Sequence, residues 1–304
     1  MTQIIEAGTL PEATGDAPRV LLPVAGEVFA HAARRFRVLA AGHSLADYLG
    51  FMAQVAEAQQ QALEALPQLP LPDETAVALS LEHAMPLLPA QTWPRHPVWR
   101  EALAHIATAL RPTANAATAQ ALEALVAMPP AELEALATRV LRTELFGEHS
   151  DRLPFVAAAL QTLWVKLASQ LDSSKVQALD VPGVCPCCGS LPAVSVIGAS
   201  SELPGRRYLH CSLCHTEWHL TRAQCSACDA GESAVAYQQI EGGNGLVQAE
   251  TCDVCKCYLK VVRRDKDAAA DAVADDLATL ALDILVDDAG FTRSGPNLLL
   301  VPGA

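Results

Sequence analysis

All ten cysteines of this chain lie between Cys185 and Cys257, and eight of them form four C-x-x-C pairs: Cys185/Cys188, Cys211/Cys214, Cys225/Cys228 and Cys252/Cys255. A two-residue gap lets a tight turn aim both sulfurs at one point, which is the spacing of a metal knuckle. Two knuckles complete one tetrahedral four-sulfur site, so four knuckles make two. The gaps between successive pairs are 22, 10 and 23 residues. Each long gap suits a hairpin with a knuckle at either end, and the short gap suits a linker. The expected ligands are therefore Cys185, Cys188, Cys211 and Cys214 at site 1, and Cys225, Cys228, Cys252 and Cys255 at site 2.

The two halves of this stretch resemble each other. Ala193–Ile197 follows the first knuckle and Ala234–Tyr237 the third, both short runs of strand type. Each closing knuckle leads into an apolar segment, Trp218–Leu220 or Tyr258–Val262. The pattern reads as a tandem rubredoxin-like or zinc-ribbon unit, too small to hold a core without its metal. Disulfides are the competing reading. Thiolate sulfur suits zinc or iron, and the pattern leaves the two open. A closed four-sulfur site keeps no free coordination position, which disfavours hydrolytic chemistry and points to a structural or redox-sensing role. Cys187 and Cys257 are surplus, and His210, His215 and His219 flank the second knuckle as alternative ligands. Gly189 follows the first knuckle, whereas His215, Asp229 and Lys256 follow the other three, so the glycine is not repeated.

Ahead of the cysteines the period turns helical. Helices are expected from Glu27 through Leu39, from Ser44 to about Leu66 behind a Ser44/Asp47 capping box, and over Val98–Leu110, Ala114–Ala127, Ala131–Phe146 and Pro154–Leu171. The proline-rich stretch 67–97 is expected to be irregular, with a brief helix near 75–84. Beyond the cysteines one helix is expected over Asp271–Ala289, its Asp271, Asp275 and Asp276 facing the positive helix end, followed by a tail Leu298–Val301 that packs back. The expected fold class is multidomain α and β. Residues 1–176 form a helical domain, 177–222 and 223–264 two rubredoxin-like domains, and 265–304 a C-terminal helix and tail. A formal net charge of −13 opposes a nucleic-acid partner. No segment reads as a membrane span or a secretory signal, so a cytoplasmic location with reduced thiols is expected. Nucleotide-binding and hydrolase motifs are missing, and the chain is not expected to be an enzyme.

The stretch Tyr208-Leu209-His210-Cys211-Ser212-Leu213-Cys214-His215-Thr216-Glu217-Trp218, with Arg222 and Cys225-x-x-Cys228, resembles the formate dehydrogenase accessory protein FdhE family. So do Cys185-Pro186-x-Cys188-Gly189-Ser190, Cys252-Asp253-x-Cys255 with Tyr258-Leu259-Lys260, the run Asp275–Asp283, and Leu153-Pro154-Phe155. The resemblance covers most of the chain from about residue 150 and is weaker before it. It implies a cytoplasmic maturation factor that binds the catalytic subunit of respiratory formate dehydrogenase before twin-arginine export. It also implies iron rather than zinc in the two sites. Tyr208, Glu217, Trp218 and Arg222, clustered around the second knuckle, are the expected partner-binding residues. The alternative is a rubredoxin-like electron-transfer or redox protein.

Overall fold

The computed structural model describes residues 3–6, 18–198, 205–222 and 224–300. The periodic first half folds into seven helices: α1 (Val28–Ala40), α2 (Ala46–Ala65), α3 (Glu74–Glu82), α4 (Trp99–Leu110), α5 (Ala116–Ala127), α6 (Pro130–Leu141) and α7 (Leu153–Ala168). Helix α7 is buried on nearly every side, from Leu153 through Trp164 to Ala168, as its lack of a polar face requires. It forms the axis against which α2, α4 and α6 pack.

Three local expectations change. The Ser44 capping box does not form; the Leu45 amide donates instead to His43 Nδ1 at 3.0 Å, and no side chain caps α2. Helix α6 stops at Leu141 rather than Phe146, because Thr143 turns left-handed at φ 59° and the Glu144 amide bonds back to the Arg139 carbonyl at 2.9 Å. The Arg139 guanidinium then holds the following loop by the Phe146 and Glu148 carbonyls, each at 2.6 Å. The helix expected over 271–289 is split into α8 (Ala274–Leu277) and α9 (Leu280–Asp288). Lys260 causes the break: its ammonium takes the Asp276 carbonyl at 2.6 Å, and Thr279 Oγ1 takes the Asp275 carbonyl at 2.8 Å.

Among the described residues nine strands form one sheet: β1 (Ile4–Glu6), β2 (Val20–Leu21), β3 (Pro192–Ile197), β4 (Arg207–Cys211), β5 (Glu217–His219), β6 (Val235–Ile240), β7 (Val247–Cys252), β8 (Cys257–Arg263) and β9 (Thr292–Arg293). The order is β1-β6-β7-β8-β3-β4-β5-β2, with β9 beside β8. Each cysteine module is an antiparallel three-strand unit, β3-β4-β5 or β6-β7-β8. The two join through a parallel β3–β8 pairing, Ser195 opposite Val261. Short pieces of the lead-in to α1 close both edges, β1 on β6 and β2 on β5. Residues 7–17 of that lead-in, and Val301 of the tail, lie outside the described residues.

The sheet is fastened to the helices by buried charge. Arg35 of α1 forks onto Asp275 at 2.7 and 2.9 Å and reaches Asp267 at 2.8 Å. Lys260 and Asp276, both fully enclosed, pair at 2.8 Å, and Arg293 adds a second cation to Asp276 at 2.8 Å. Asp271 accepts from the Val273 and Ala274 amides at 2.9 Å and Asp275 and Asp276 lie in the first turn of α8, as expected of a helix end, and the latter two also anchor this network. Leu298 and Leu299 are buried in the main core, as expected of the tail.

Candidate metal centres

Each knuckle turns on the same backbone device. Gly189, His215, Asp229 and Lys256, the residues just after the second cysteine of each pair, all take a positive φ, between 56° and 78°. The missing glycines therefore do not mean a missing turn. Three L-residues adopt the left-handed conformation at a cost of roughly 1 kcal/mol each. In three knuckles this residue donates its amide to the carbonyl of the first cysteine: Gly189 to Cys185, Asp229 to Cys225 and Lys256 to Cys252, at 2.8–3.0 Å. The turn leaves other amides facing sulfur, with Leu213 and Cys214 donating to Cys211 Sγ and Ala227 to Cys225 Sγ, each at 3.4 Å.

Four sulfurs converge at each site. Cys185, Cys188, Cys211 and Cys214 form one group, and Cys225, Cys228, Cys252 and Cys255 the other, with the ligand atoms of each group within 4.8 Å of one another. Across site 1, Cys185 and Cys214 are 3.6 Å apart and Cys188 and Cys211 3.3 Å; both measured pairs at site 2 are 3.7 Å. A disulfide needs about 2.05 Å. A tetrahedron of thiolates around zinc, with bonds of about 2.3 Å, has edges near ~3.8 Å. All ten cysteines are free. The donor sets fit a thiophilic cation, and either group could hold one. Burial pushes the Cys185 and Cys211 thiols well above their usual range, with neighbouring sulfurs adding to it at Cys185. Burial would raise Cys214 too, but hydrogen bonds from the neighbouring sulfurs hold it well below its usual range; an enclosed cation is what would let the four sulfurs ionise together.

The two groups differ in setting. All four site 1 sulfurs are buried. The proline-rich strap pairs with the first knuckle, Leu88 N–H to Cys187 O at 2.7 Å and Ala90 N–H to Cys188 O at 2.8 Å. From α7, Trp164 donates to Leu88 O at 3.3 Å and Gln161 to Ser212 O at 2.8 Å, and Gln59 of α2 supports Gln161 at 3.1 Å. At site 2, Cys228 is exposed and Cys255 partly so, and Val254 between Cys252 and Cys255 is 69% exposed.

Tyr208, Glu217 and Trp218 are turned inward. Tyr208 donates its hydroxyl to Pro18 O at 2.8 Å, and Trp218 its indole N–H to Pro182 O at 2.8 Å. Glu217 joins His210 at 3.0 Å and Arg264 at 2.9 Å. Burial alone would raise Glu217, but the Arg264 charge and the His210 bond outweigh it and hold the carboxyl at about 2. Arg222 is half-buried, and burial lowers its pKa. None of His210, His215 and His219 joins a cysteine group. His215 sits edge-on to Phe29 at 5.3 Å and to His210 at 5.0 Å, and burial drives its pKa down to about 3. Cys187 is enclosed and Cys257 half-buried. Sequence reasoning missed the ion-pair network of Arg35, Lys260, Asp276 and Arg293; the lysine and aspartates in otherwise apolar runs were its only trace.

With the geometry fixed, comparisons with known proteins agree along the whole chain. Family models described as FdhE N-terminal, FdhE central domain and FdhE C-terminal domain match residues 17–180, 184–222 and 223–300. The chain belongs to the FdhE family. It is 42% identical over 302 residues to an FdhE homolog of Edwardsiella ictaluri, covering 98% of this chain and 96% of that protein. It is 38% identical over 287 residues to one from Haemophilus influenzae, covering 94% and 92%. The crystal structure of the FdhE protein from Pseudomonas aeruginosa superposes with a TM-score of 0.81 at 36% identity, covering 94% of this chain and all of that one. No helix among the described residues is long and apolar enough to cross a membrane.

Proposed function

We propose that this FdhE-family protein is a cytoplasmic maturation factor that binds the catalytic subunit of respiratory formate dehydrogenase before twin-arginine export and is needed for its activity. The eight paired cysteines hold two metal ions, iron in preference to zinc, and the two modules are rubredoxin-like units on a helical body. The family link carries the reading, and the two sulfur cages sewn into a continuous sheet support a binding scaffold over a reaction centre. Bound iron would add one-electron chemistry to the bracing that either metal supplies. The chain's own residues do the rest: knuckle amides donate to sulfur, and the strap and α7 shield site 1.

Tyr208, Glu217 and Trp218 serve as internal fastenings, so a docking role for them would require the modules to part. The Arg222 guanidinium is enclosed as well, its three nitrogens buried without a hydrogen-bond partner among the described residues. The proposal therefore seeks the main docking surface elsewhere. The test is a strain deleted for its own family member. Expression of this chain should restore respiratory formate dehydrogenase activity, and the purified chain should capture the catalytic subunit with two metal ions bound per chain. Failure of both would sink the reading.

The partly open site 2 favours one rival, a rubredoxin-like electron carrier. That reading predicts a reversible visible spectrum and turnover with an electron donor, neither of which a pure scaffold requires.

A further inference from the structure

A groove runs along the junction between the helical body and site 1. Its larger chamber, about 420 Å³, lies between the end of α6, the strap at Pro89–Thr92, and both knuckles of site 1 at Cys188–Leu191 and Ser212–Leu213. That is a ligand-sized volume. A smaller chamber, about 130 Å³, continues from it past Trp93, Arg95 and Thr138. The two share the walls Ala90, Gln91, Leu141 and Arg142.

The chemistry of the walls is selective. The lining of the larger chamber includes the apolar residues Val140, Leu141, Leu191, Leu213 and Leu298, all but Leu191 buried. Leu191 is 38% exposed there. In a chain of formal net charge −13, neither chamber has a carboxylate in its walls. Arg142 stands exposed at their junction, and among the described residues its side chain has no hydrogen bond or ion pair. Arg95, the other cation, is occupied by Glu134 at 2.6 Å. The mouth is also held in shape: left-handed Thr143 ends α6 beside Arg142, an uncommon conformation for a β-branched residue.

We propose that this groove docks an extended polypeptide segment of the partner protein, with apolar side chains in the larger chamber and an acidic side chain forked onto Arg142. This rests on the maturation-factor reading and names the surface that reading leaves open. Charge complementarity selects the segment: a free guanidinium is a bidentate carboxylate receptor, and a linear chain offers apolar and acidic groups in succession along two joined chambers. The overall negative charge disfavours a nucleic acid at the same place.

The test uses the full chain with its metals, in two arms. In the first, affinity for the purified catalytic subunit of formate dehydrogenase is measured for wild type, Arg142→Lys, Arg142→Glu and Leu191→Asp. Metal content and melting temperature serve as the check on folding. In the second, capped peptides alternating leucine with glutamate are compared with leucine–lysine counterparts, on wild type and Arg142→Glu. Arg142→Glu is expected to weaken subunit binding about tenfold or more and Arg142→Lys by a smaller but measurable factor, since lysine keeps the charge but loses the fork. Leucine–glutamate peptides should bind wild type alone, and leucine–lysine peptides should not bind it.

Subunit binding unchanged in both Arg142→Glu and Leu191→Asp would overturn the groove while leaving the maturation reading intact. Peptide binding as expected without any subunit binding would keep the groove and remove that reading. Free glutamate competing as well as the peptides would overturn the proposal in favour of a small acid. A chain cut after Leu300 that binds peptides much more tightly than the uncut chain would assign the groove to residues 301–304 and overturn it too.

Discussion

The two sulfur cages share one ligand set, one knuckle geometry and one sheet, yet they stand in opposite surroundings. Site 1 is enclosed by the strap, α2 and α7, and its backbone carbonyls accept bonds from the helical body. Site 2 is more open to solvent, with Cys228 and Val254 exposed and Cys255 half-buried. Identical local chemistry therefore holds different amounts of protein together. Site 1 is a keystone between two architectures, whereas site 2 braces one three-strand module.

The largest contrast concerns the ligands themselves. Closing a four-cysteine site contributes on the order of 10 kcal/mol to a small fold, comparable to a domain's entire margin. Replacing Cys185 with Ser should remove that term from the junction, with native helical ellipticity and solubility lost together. Cys228→Ser should leave the helical melting transition in place and reduce bound metal from two ions per chain to one. Circular dichroism and metal analysis on both variants decide it; equal damage would abolish the distinction.

The buried charges that tie site 2's module to the helices come next. Asp276→Asn would leave Lys260 and Arg293 enclosed with one counter-charge fewer, a loss of about 3–5 kcal/mol. The pH dependence has a definite sign. Burial works to raise Asp276, but Arg293 and Lys260 more than offset it and hold it at about 2, against 3.8 for a free carboxyl. A depressed folded pKa contributes stability that is full above the unfolded value and lost as pH falls from about 4 towards 2, here about 2 kcal/mol. Urea denaturation at pH 5, 4 and 3 should show a shallower acid slope for the variant than for wild type. Parallel slopes would mean that Asp276 does not carry this charge.

Accessibility gives a kinetic version of the same contrast. A chelator reaches site 2 after local opening but reaches site 1 only when the helical body loosens. Metal release should be biphasic, half fast and half about 100-fold slower, a gap of about 3 kcal/mol in opening free energy. Single-phase release would show that the two sites open together.

How much of this was written in the chain depends on the range of the interactions. The cysteine spacing exposed both sulfur groups, because a knuckle is local and two knuckles can meet in few ways. Most helices were legible from their period. The enclosure of Tyr208, Glu217 and Trp218 was not, since their covers are Pro18, Arg264 and Pro182. Nor was the break between α8 and α9, which Lys260 imposes from another strand. The β3–β8 seam was equally hidden: two similar modules can stand apart or share a sheet, and only their edges decide.

The smallest effect lies in the left-handed residues that close the knuckles. At site 1, Gly189 has φ +78°, and a Cβ placed on it would meet Pro86 Cγ at 3.2 Å, tight against the strap. Gly189→Ala therefore adds backbone strain to crowding and should cost about 1 kcal/mol or somewhat more. At site 2, Lys256 holds φ 56° with its side chain largely in solvent, paired with Asp253 at 2.7 Å and 5.3 Å from the Phe291 ring centroid. Lys256→Gly relieves the strain but frees the unfolded chain and gives up a weak surface pair, so a net change within about 0.5 kcal/mol is expected. Thermal melts of the two variants, each with both metals bound, measure the difference. A Lys256→Gly loss as large as that of Gly189→Ala would mean that site 2 is packed as tightly as site 1, and the contrast between the cages would have to rest on solvent access alone.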